Sequence, residues 1–297
     1  MKNPLFALAS VLFIASLASR SARAADAASA SPLLVETADL APRLNEPGLR
    51  ILDARTPQEY RQGHIPGAVN LPAPATESLE ANRQGFPLFP ERAAELFRAT
   101  GINASSRIVV YDNQGHRFAA RLFYVLEFFG HPQVSVLNGG WAKWQSEDRP
   151  TTMDEPRVPP GDFKPDAKSS VIATADWVQQ HLTDPGVKLV DARTPAEYSG
   201  EKVQGPRGGH VPGAVNIEWT RVLAGGDPRT LLELPALRKL FADAAVKPEQ
   251  EVVAYCQMGM RASQIYFALR LLGYPRVRVY DGSWEDWASR SDLPIEK

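Results

Sequence analysis

The single cysteine of this 297-residue chain stands where a nucleophile could work. Cys256 directly follows the apolar run 252–255 and opens the segment Cys-Gln-Met-Gly-Met-Arg, residues 256–261, here called the cysteine loop. A second copy of the same layout carries Asp112 at the matching position. One half of the chain therefore offers a soft nucleophile where the other offers a carboxylate, and a thiolate can attack sulfur.

The cysteine loop is suited to binding anions. A loop that leaves a strand and enters a helix directs successive backbone N–H groups to one point, beside the positive end of the helix dipole. Gly259 allows backbone conformations that other residues resist, and Arg261 adds a permanent positive charge. We expect this loop to stabilise the Cys256 thiolate, whereas Asp112 makes the first copy catalytically silent. The predicted substrate-binding residues of the loop are Gln257, Met258, Gly259, Met260 and Arg261.

The elements that must position this loop belong to an internal duplication. The motifs Asp-Ala-Arg-Thr-Pro, Pro-Gly-Ala-Val-Asn and Gly-Gly/Ser-Trp each occur twice, in the same order. The matching segments, first copy before second, are 51–57 and 189–195, 64–70 and 210–216, 108–112 and 252–256, and 139–141 and 282–284. Two copies of a domain-sized unit predict a duplicated fold and not a solenoid of short repeats.

Each copy has the pattern of an α/β domain. A short apolar strand runs into a turn and a helix, and after a glycine a second apolar strand follows, which predicts a right-handed parallel crossover. The predicted strands are 107–111, 134–137, 251–255 and 277–280, and the helical stretches are 116–129 and 262–272. Ligands of such sheets bind at the carboxyl ends of the strands, where Asp112 and Cys256 lie.

We therefore predict two domains, each a parallel sheet flanked by helices. The first covers residues 32–150 and lacks catalytic activity, and the second covers residues 171–297 and is catalytic. The proline-rich segment 151–170 between them has the composition of an extended linker.

Residues 1–24 have the pattern of a secretion signal. Lys2 precedes the apolar stretch 5–18, and Ala-Arg-Ala at 22–24 fits a signal-peptidase site. The stretch is shorter than the roughly 20 residues that span a bilayer, and a retained anchor is the alternative. We predict a periplasmic or secreted protein without stable membrane association after cleavage.

Composition limits the partners. Removal of Lys2, Arg20 and Arg23 with the signal changes the formal charge from −1 to −4, which argues against a nucleic-acid partner. A single cysteine cannot form an internal disulfide, so the thiol is either buried filler or a reactive group. The histidines lack partners at ligand spacing, and we expect neither a metal nor a cofactor. Because duplication already creates a domain interface, the chain is compatible with a monomer.

In this order and twice over, the motifs resemble those of the tandem-domain rhodaneses, or thiosulfate sulfurtransferases, over the whole mature chain. The resemblance implies an inactive first domain and a second domain whose Cys256 accepts a sulfane sulfur from thiosulfate as a persulfide. The persulfide then passes its sulfur to an acceptor such as cyanide or a thiol. The resemblance also implies that Arg193, in the second Asp-Ala-Arg motif, binds substrate.

The cysteine loop leaves the donor open. Many thiosulfate enzymes have Cys-Arg-Lys-Gly and many mercaptopyruvate enzymes have Cys-Gly-Ser or Cys-Gly-Val-Thr, whereas here Cys-Gln-Met-Gly precedes Met260 and Arg261. Thiosulfate is the predicted donor, and 3-mercaptopyruvate is the alternative. Lys202 and Arg207 lie in an insertion of the second copy, 199–209, where they could steer substrate or simply form a solvated loop.

Two other function classes have weaker support. Cysteine phosphatases use a Cys-x5-Arg loop, and the shorter Cys-x4-Arg ring here suits a sulfur bound to Cys256 better than a phosphate group. A non-catalytic sulfur-binding or partner-recruiting module is the other alternative. The presence of Cys256 together with Gly259 and Arg261 argues against such a module.

Overall fold

The computed structural model describes residues 33–78 and 86–297. The predicted signal sequence lies outside these residues and stays a prediction. Within the described ranges, no helix combines the length and apolar character that crossing a membrane requires.

The first domain is a parallel sheet with helices on its faces. Its strands are β1 (Leu34–Val35), β2 (Leu49–Asp53), β3 (Ala68–Asn70), β4 (Arg107–Tyr111) and β5 (Val134–Leu137). Its helices are α1 (Thr37–Leu40), α2 (Pro57–Arg61), α3 (Pro90–Ala99), α4 (Arg117–Phe128) and α5 (Gly140–Ser146). The strand order is β1-β5-β4-β2-β3, and all neighbours are parallel. The central strand β4 ends at Tyr111, which places Asp112 at the carboxyl edge of the sheet.

The second domain repeats this architecture. Its strands are β6 (Ile172–Ala173), β7 (Val187–Asp191), β8 (Val215–Asn216), β9 (Glu251–Tyr255) and β10 (Val277–Tyr280). Its helices are α6 (Ala175–Gln180), α7 (Pro195–Ser199), α8 (Leu234–Asp243), α9 (Met260–Leu271) and α10 (Ser283–Ser289). The order β6-β10-β9-β7-β8 is again parallel throughout. The predicted fold class, two parallel sheets flanked by helices, is therefore confirmed.

The helix starts differ from the predicted ones. The predicted strand bounds agree with β4, β5, β9 and β10. Helix α9, however, begins two residues before its apolar pattern, because Gly259 has a left-handed φ of 81° and the helix starts directly after it. Four residues, 256–259, thus separate β9 from α9, whereas five residues, 112–116, separate β4 from α4. The loop that carries the cysteine is one residue shorter than its counterpart.

The two domains pack through equivalent helices. Phe123 of α4 meets Phe267 of α9 with ring centroids 4.8 Å apart, and both side chains are buried. At the edge of this contact, Arg270 Nη2 donates to Glu127 Oε1 at 2.7 Å, and Tyr266 also donates to Glu127. Residues of both domains consequently belong to one continuous apolar core.

The predicted linker lies along the first domain. Its backbone forms no helix or strand between residues 153 and 168. Phe163 is buried in the apolar core, and the N–H groups of Asp166 and Lys168 donate to the carbonyls of Phe129 and Phe128 at the end of α4. These contacts hold the segment to the surface of the first domain.

The Asp-Ala-Arg motif forms the same buried ion pair in both domains. Arg193 donates to the Asp191 carboxylate through Nε and Nη2 and to the carbonyl of Gly209, and it lies 4.5 Å from the Trp284 ring. Arg55 makes the matching contacts in the first domain. Burial opposes the charge of Arg193, but the Asp191 carboxylate raises its pKa overall. Because the domain without the cysteine has the same pair, this geometry favours a structural role for Arg193, and its predicted substrate contact stays a prediction.

We expect Arg55→Met and Arg193→Met to lower the free energy of unfolding by about 3–5 kcal/mol each, because each leaves a buried aspartate without its cation. Chemical denaturation measures the loss, and donor KM is measured on the folded fraction. If Arg193→Met raises KM while Arg55→Met does not, Arg193 contacts substrate and the structural interpretation is wrong.

Candidate active site

The cysteine loop is held from below by the turn after β10. This turn, residues 281–282, and the first three residues of α10, 283–285, are together called the floor turn. The N–H groups of Cys256 and Gly259 donate to Ser283 Oγ at 3.1 and 3.0 Å. In return, the N–H groups of Trp284 and Glu285 donate to the carbonyls of Cys256 and Gln257, both at 3.0 Å. These four hydrogen bonds fix the position of Cys256, whose side chain is buried at the carboxyl end of β9.

Ser283 occupies a strained backbone position. Its φ is 52°, in the left-handed region that favours glycine, and the equivalent residue of the first domain is Gly140 with the same φ. A serine in this conformation costs free energy, and such outliers point to a role at a site. Here the hydroxyl accepts two N–H groups of the cysteine loop and donates to the carbonyl of Tyr280. Ser283 was not predicted from the sequence, although the difference between Gly-Gly in the first copy and Gly-Ser in the second was its signal.

The cysteine loop keeps several N–H groups available. Ser263 is the first residue of α9 whose N–H reaches back to the loop, donating to the carbonyl of Gly259. Among the described residues, no acceptor takes the N–H groups of Gln257, Met258, Met260, Arg261 and Ala262. Met258 is 46% exposed, which brings this part of the loop to the surface. The N–H groups and the dipole of α9 together favour a negative charge beside Cys256.

The first domain already contains the anion that such a loop accommodates. The Asp112 carboxylate is buried and accepts four backbone hydrogen bonds of 2.7–3.0 Å, from the N–H groups of Gln114, His116, Phe118 and Ala119. The sequence predicted that Asp112 makes this copy catalytically silent. In the structure, the carboxylate itself uses the N–H groups that would otherwise be available to an incoming anion.

Arg261 is paired with a carboxylate that sequence analysis missed. Its Nη1 and Nη2 donate to the two oxygens of Glu197 at 2.8 and 2.9 Å. Burial alone would raise the pKa of Glu197, but hydrogen bonds from Arg261 and Thr194 lower it to about 2. Burial likewise opposes the charge of Arg261, but Glu197 and Cys256 raise its pKa overall. Part of the positive charge expected from Arg261 is therefore compensated.

The remaining predicted residues have local structural partners. Gln257 Nε2 donates to Glu285 Oε2 at 2.8 Å, which ties the loop to the floor turn. Arg207 donates to four carbonyls at the end of the chain, those of Trp287, Ala288, Arg290 and Leu293. These contacts do not support the predicted steering role of Arg207, because its donors serve the last helix. Lys202 is exposed.

The duplicated histidines are structural in both domains. His64 stacks on Tyr60 at 3.8 Å and His210 on Tyr198 at 3.7 Å, and each Nδ1 contacts the carbonyl of its own tyrosine. The described part of the chain has no group of three or more histidine, cysteine or acidic side chains that could hold a metal ion.

We expect Asp112→Ala to destabilise the protein by about 3 kcal/mol, because four N–H groups lose a charged acceptor. Transfer by Cys256 in the folded protein should be nearly unchanged. Thermal unfolding and steady-state turnover test both points, with Asp112→Asn as a milder variant that keeps one acceptor oxygen. Lost turnover at unchanged stability would contradict this role of Asp112.

Comparison with known proteins agrees with the duplicated site. The rhodanese-like domain family matches twice, over residues 36–147 and 174–290. A thiosulfate sulfurtransferase of Pseudomonas aeruginosa is 35% identical over 268 residues, which are 89% of this chain and 97% of that protein. A 3-mercaptopyruvate sulfurtransferase of Escherichia coli is 32% identical over 86% of this chain and 95% of its own length.

A solved structure has a similar fold over most of the chain. SseA from Escherichia coli, a 3-mercaptopyruvate enzyme of rhodanese fold, superposes with a TM-score of 0.77 and 30% identity, covering 86% of this chain and 99% of SseA. The family matches, the relatives and the structure agree on both domains. The chain therefore belongs to the rhodanese family of sulfurtransferases, with two rhodanese-like domains in tandem.

Proposed function

We propose that this sulfurtransferase uses thiosulfate as its sulfur donor and Cys256 as its sulfur carrier. The Cys256 thiolate attacks the outer sulfur of thiosulfate, the S–S bond of the donor breaks, and sulfite leaves with the electron pair. The resulting persulfide is attacked at its outer sulfur by a thiophilic acceptor such as cyanide. Thiocyanate forms, and the Cys256 thiolate is regenerated.

The observation that carries this proposal is the contrast between Cys256 and Asp112. The outer sulfur of a Cys256 persulfide lies two bonds beyond Cβ, as do the carboxylate oxygens of Asp112. Those oxygens accept four N–H groups in the first domain. The second domain has free N–H groups in the corresponding loop, and the persulfide anion is a suitable acceptor for them.

The surroundings of the loop support thiosulfate over a larger donor. Gln257, which is tied to Glu285, and Met258 directly follow Cys256 in the chain, and both carry long side chains. A mercaptopyruvate carboxylate would need a cation, and Arg207 of the insertion already serves four carbonyls. The compact sulfonate head of thiosulfate can instead use backbone donors, which form charge-assisted hydrogen bonds with it.

We expect thiosulfate to add the mass of one sulfur atom to the intact protein and cyanide to remove it. Because Cys256 is the single thiol, Cys256→Ser should abolish both the mass gain and the turnover. Mass spectrometry before and after each reagent tests this directly. Sulfur transfer by the serine variant would refute the persulfide mechanism.

We also expect kcat/KM to favour thiosulfate over 3-mercaptopyruvate by about tenfold or more, the value of one well-placed charge-assisted hydrogen bond. Both donors are compared with cyanide as the common acceptor. The relatives of either donor class make 3-mercaptopyruvate the second candidate. A preference for it would show that the loop accommodates a larger donor, with Lys202 as the first residue to test for carboxylate binding.

A further inference from the structure

A buried carboxylate lies directly behind the cysteine loop. Asp281, the first residue of the floor turn, is fully buried, and a Cβ placed on Gly259 would lie 2.3 Å from its Oδ1. The carboxylate thus touches the loop at its central glycine. A negative charge this close would repel both an anionic donor and a persulfide, since Coulomb interactions are strong at buried sites.

The cation that compensates this charge comes from the other domain. Arg121 of α4 is fully buried, and its Nη1 donates to Asp281 Oδ1. Tyr124, one turn further along α4, donates to Oδ2 at 3.3 Å. Burial raises the pKa of Asp281, whereas Arg121 acts against this shift. The guanidinium itself reaches the loop, because a Cβ on Gly259 would lie 3.2 Å from Arg121 Nη1.

Glu77 completes the charged cluster. Its Oε1 lies 3.6 Å from Arg121 Nε, and burial raises its pKa. Arg121 therefore stands between two carboxylates and is the cation of the cluster that contacts the cysteine loop.

The pair is specific to the cysteine side of the duplication. Helices α4 and α9 begin at residues 117 and 260, an offset of 143, which makes Gln264 the counterpart of Arg121 and Asn138 the counterpart of Asp281. Gln264 is neutral, and Asn138 donates to Glu36 and accepts from the N–H of Leu231. Among the described residues, a buried charge pair thus lies behind the loop that contains the cysteine. Neutral side chains occupy the equivalent positions.

We propose that Arg121 of the silent first domain is a positioning residue of the active site. It neutralises Asp281 and holds that carboxylate against Gly259, so that the cysteine loop keeps its shape and remains attractive to anions. The first domain thereby contributes a specific charge to sulfur transfer as well as packing. The inference rests on the proposed reaction only in its use of an anionic donor.

Two single substitutions separate this role from a merely structural one. Arg121→Gln leaves the Asp281 carboxylate uncompensated behind the loop, and we expect KM for thiosulfate to rise about tenfold or more. Asp281→Asn keeps the shape and an acceptor for Arg121 but removes the negative charge, and KM should stay the same or fall. A purely structural pair predicts a rise in both variants, which would overturn the proposal.

A second measurement does not depend on the donor. Cys256 is alkylated with iodoacetate, an anion, and with iodoacetamide, which is neutral, and the ratio of the two rate constants reports the potential at the sulfur. We expect this ratio to fall about tenfold in Arg121→Gln and to stay level or rise in Asp281→Asn. The double variant Arg121→Gln with Asp281→Asn gives this site the residue types of Gln264 and Asn138, the equivalent positions. It should restore the ratio, and it can be measured even if Arg121→Gln alone folds poorly.

Arg270→Gln is the matched control. It breaks the ion pair that Arg270 of α9 forms with Glu127 of α4 across the domain interface, and it should lower stability without changing the ratio. An equal fall in this control, or a fall in Asp281→Asn, would refute the role of Arg121. If the ratio changes as expected but thiosulfate adds no sulfur to the wild type, the donor proposal fails and the inference on Arg121 stands.

Discussion

Backbone N–H groups at the start of a helix need an acceptor, and both halves of this chain are built around that need. In each half, a central parallel strand ends at a tyrosine and the next residue faces the start of a helix. The first half supplies its own acceptor, the side chain of Asp112. In the second half, Ser283 accepts the N–H groups of Cys256 and Gly259, and the N–H groups of Met260, Arg261 and Ala262 have no acceptor among the described residues. One local constraint thus has a structural solution and a catalytic one in the same molecule.

The duplication also determines how the site is completed. Because α4 and α9 are equivalent helices, their contact brings the same face of each copy together, with Phe123 against Phe267 at its centre. Side chains that differ between the copies can then act across the interface without disturbing its packing. Arg121 is one such side chain, since it extends across the interface and donates to Asp281 of the second domain. The first domain is therefore part of the environment of the cysteine.

Sequence patterns predicted the features that depend on local order. The strands, the repeat and the position of Cys256 follow from apolar periodicity and motif spacing. Both can be recognised along the chain without knowledge of three-dimensional contacts. The partners of the site could not be predicted in this way. Arg261 meets Glu197 and Arg121 meets Asp281 across 64 and 160 residues, and no periodicity encodes such a contact. The motif of Arg193 likewise did not reveal the buried pair with Asp191 that both domains share.

The extra residue between β4 and α4 has an evolutionary consequence. After duplication, a silent copy could in principle regain its nucleophile through one codon change at Asp112. Here the loop is five residues long instead of four, and Gly140 has no hydroxyl to replace that of Ser283. Recovery would require a deletion and at least two substitutions together, and loss of Asp112 alone would leave four N–H groups without their acceptor. The presence of the cysteine in the second domain alone is therefore difficult to reverse by mutation.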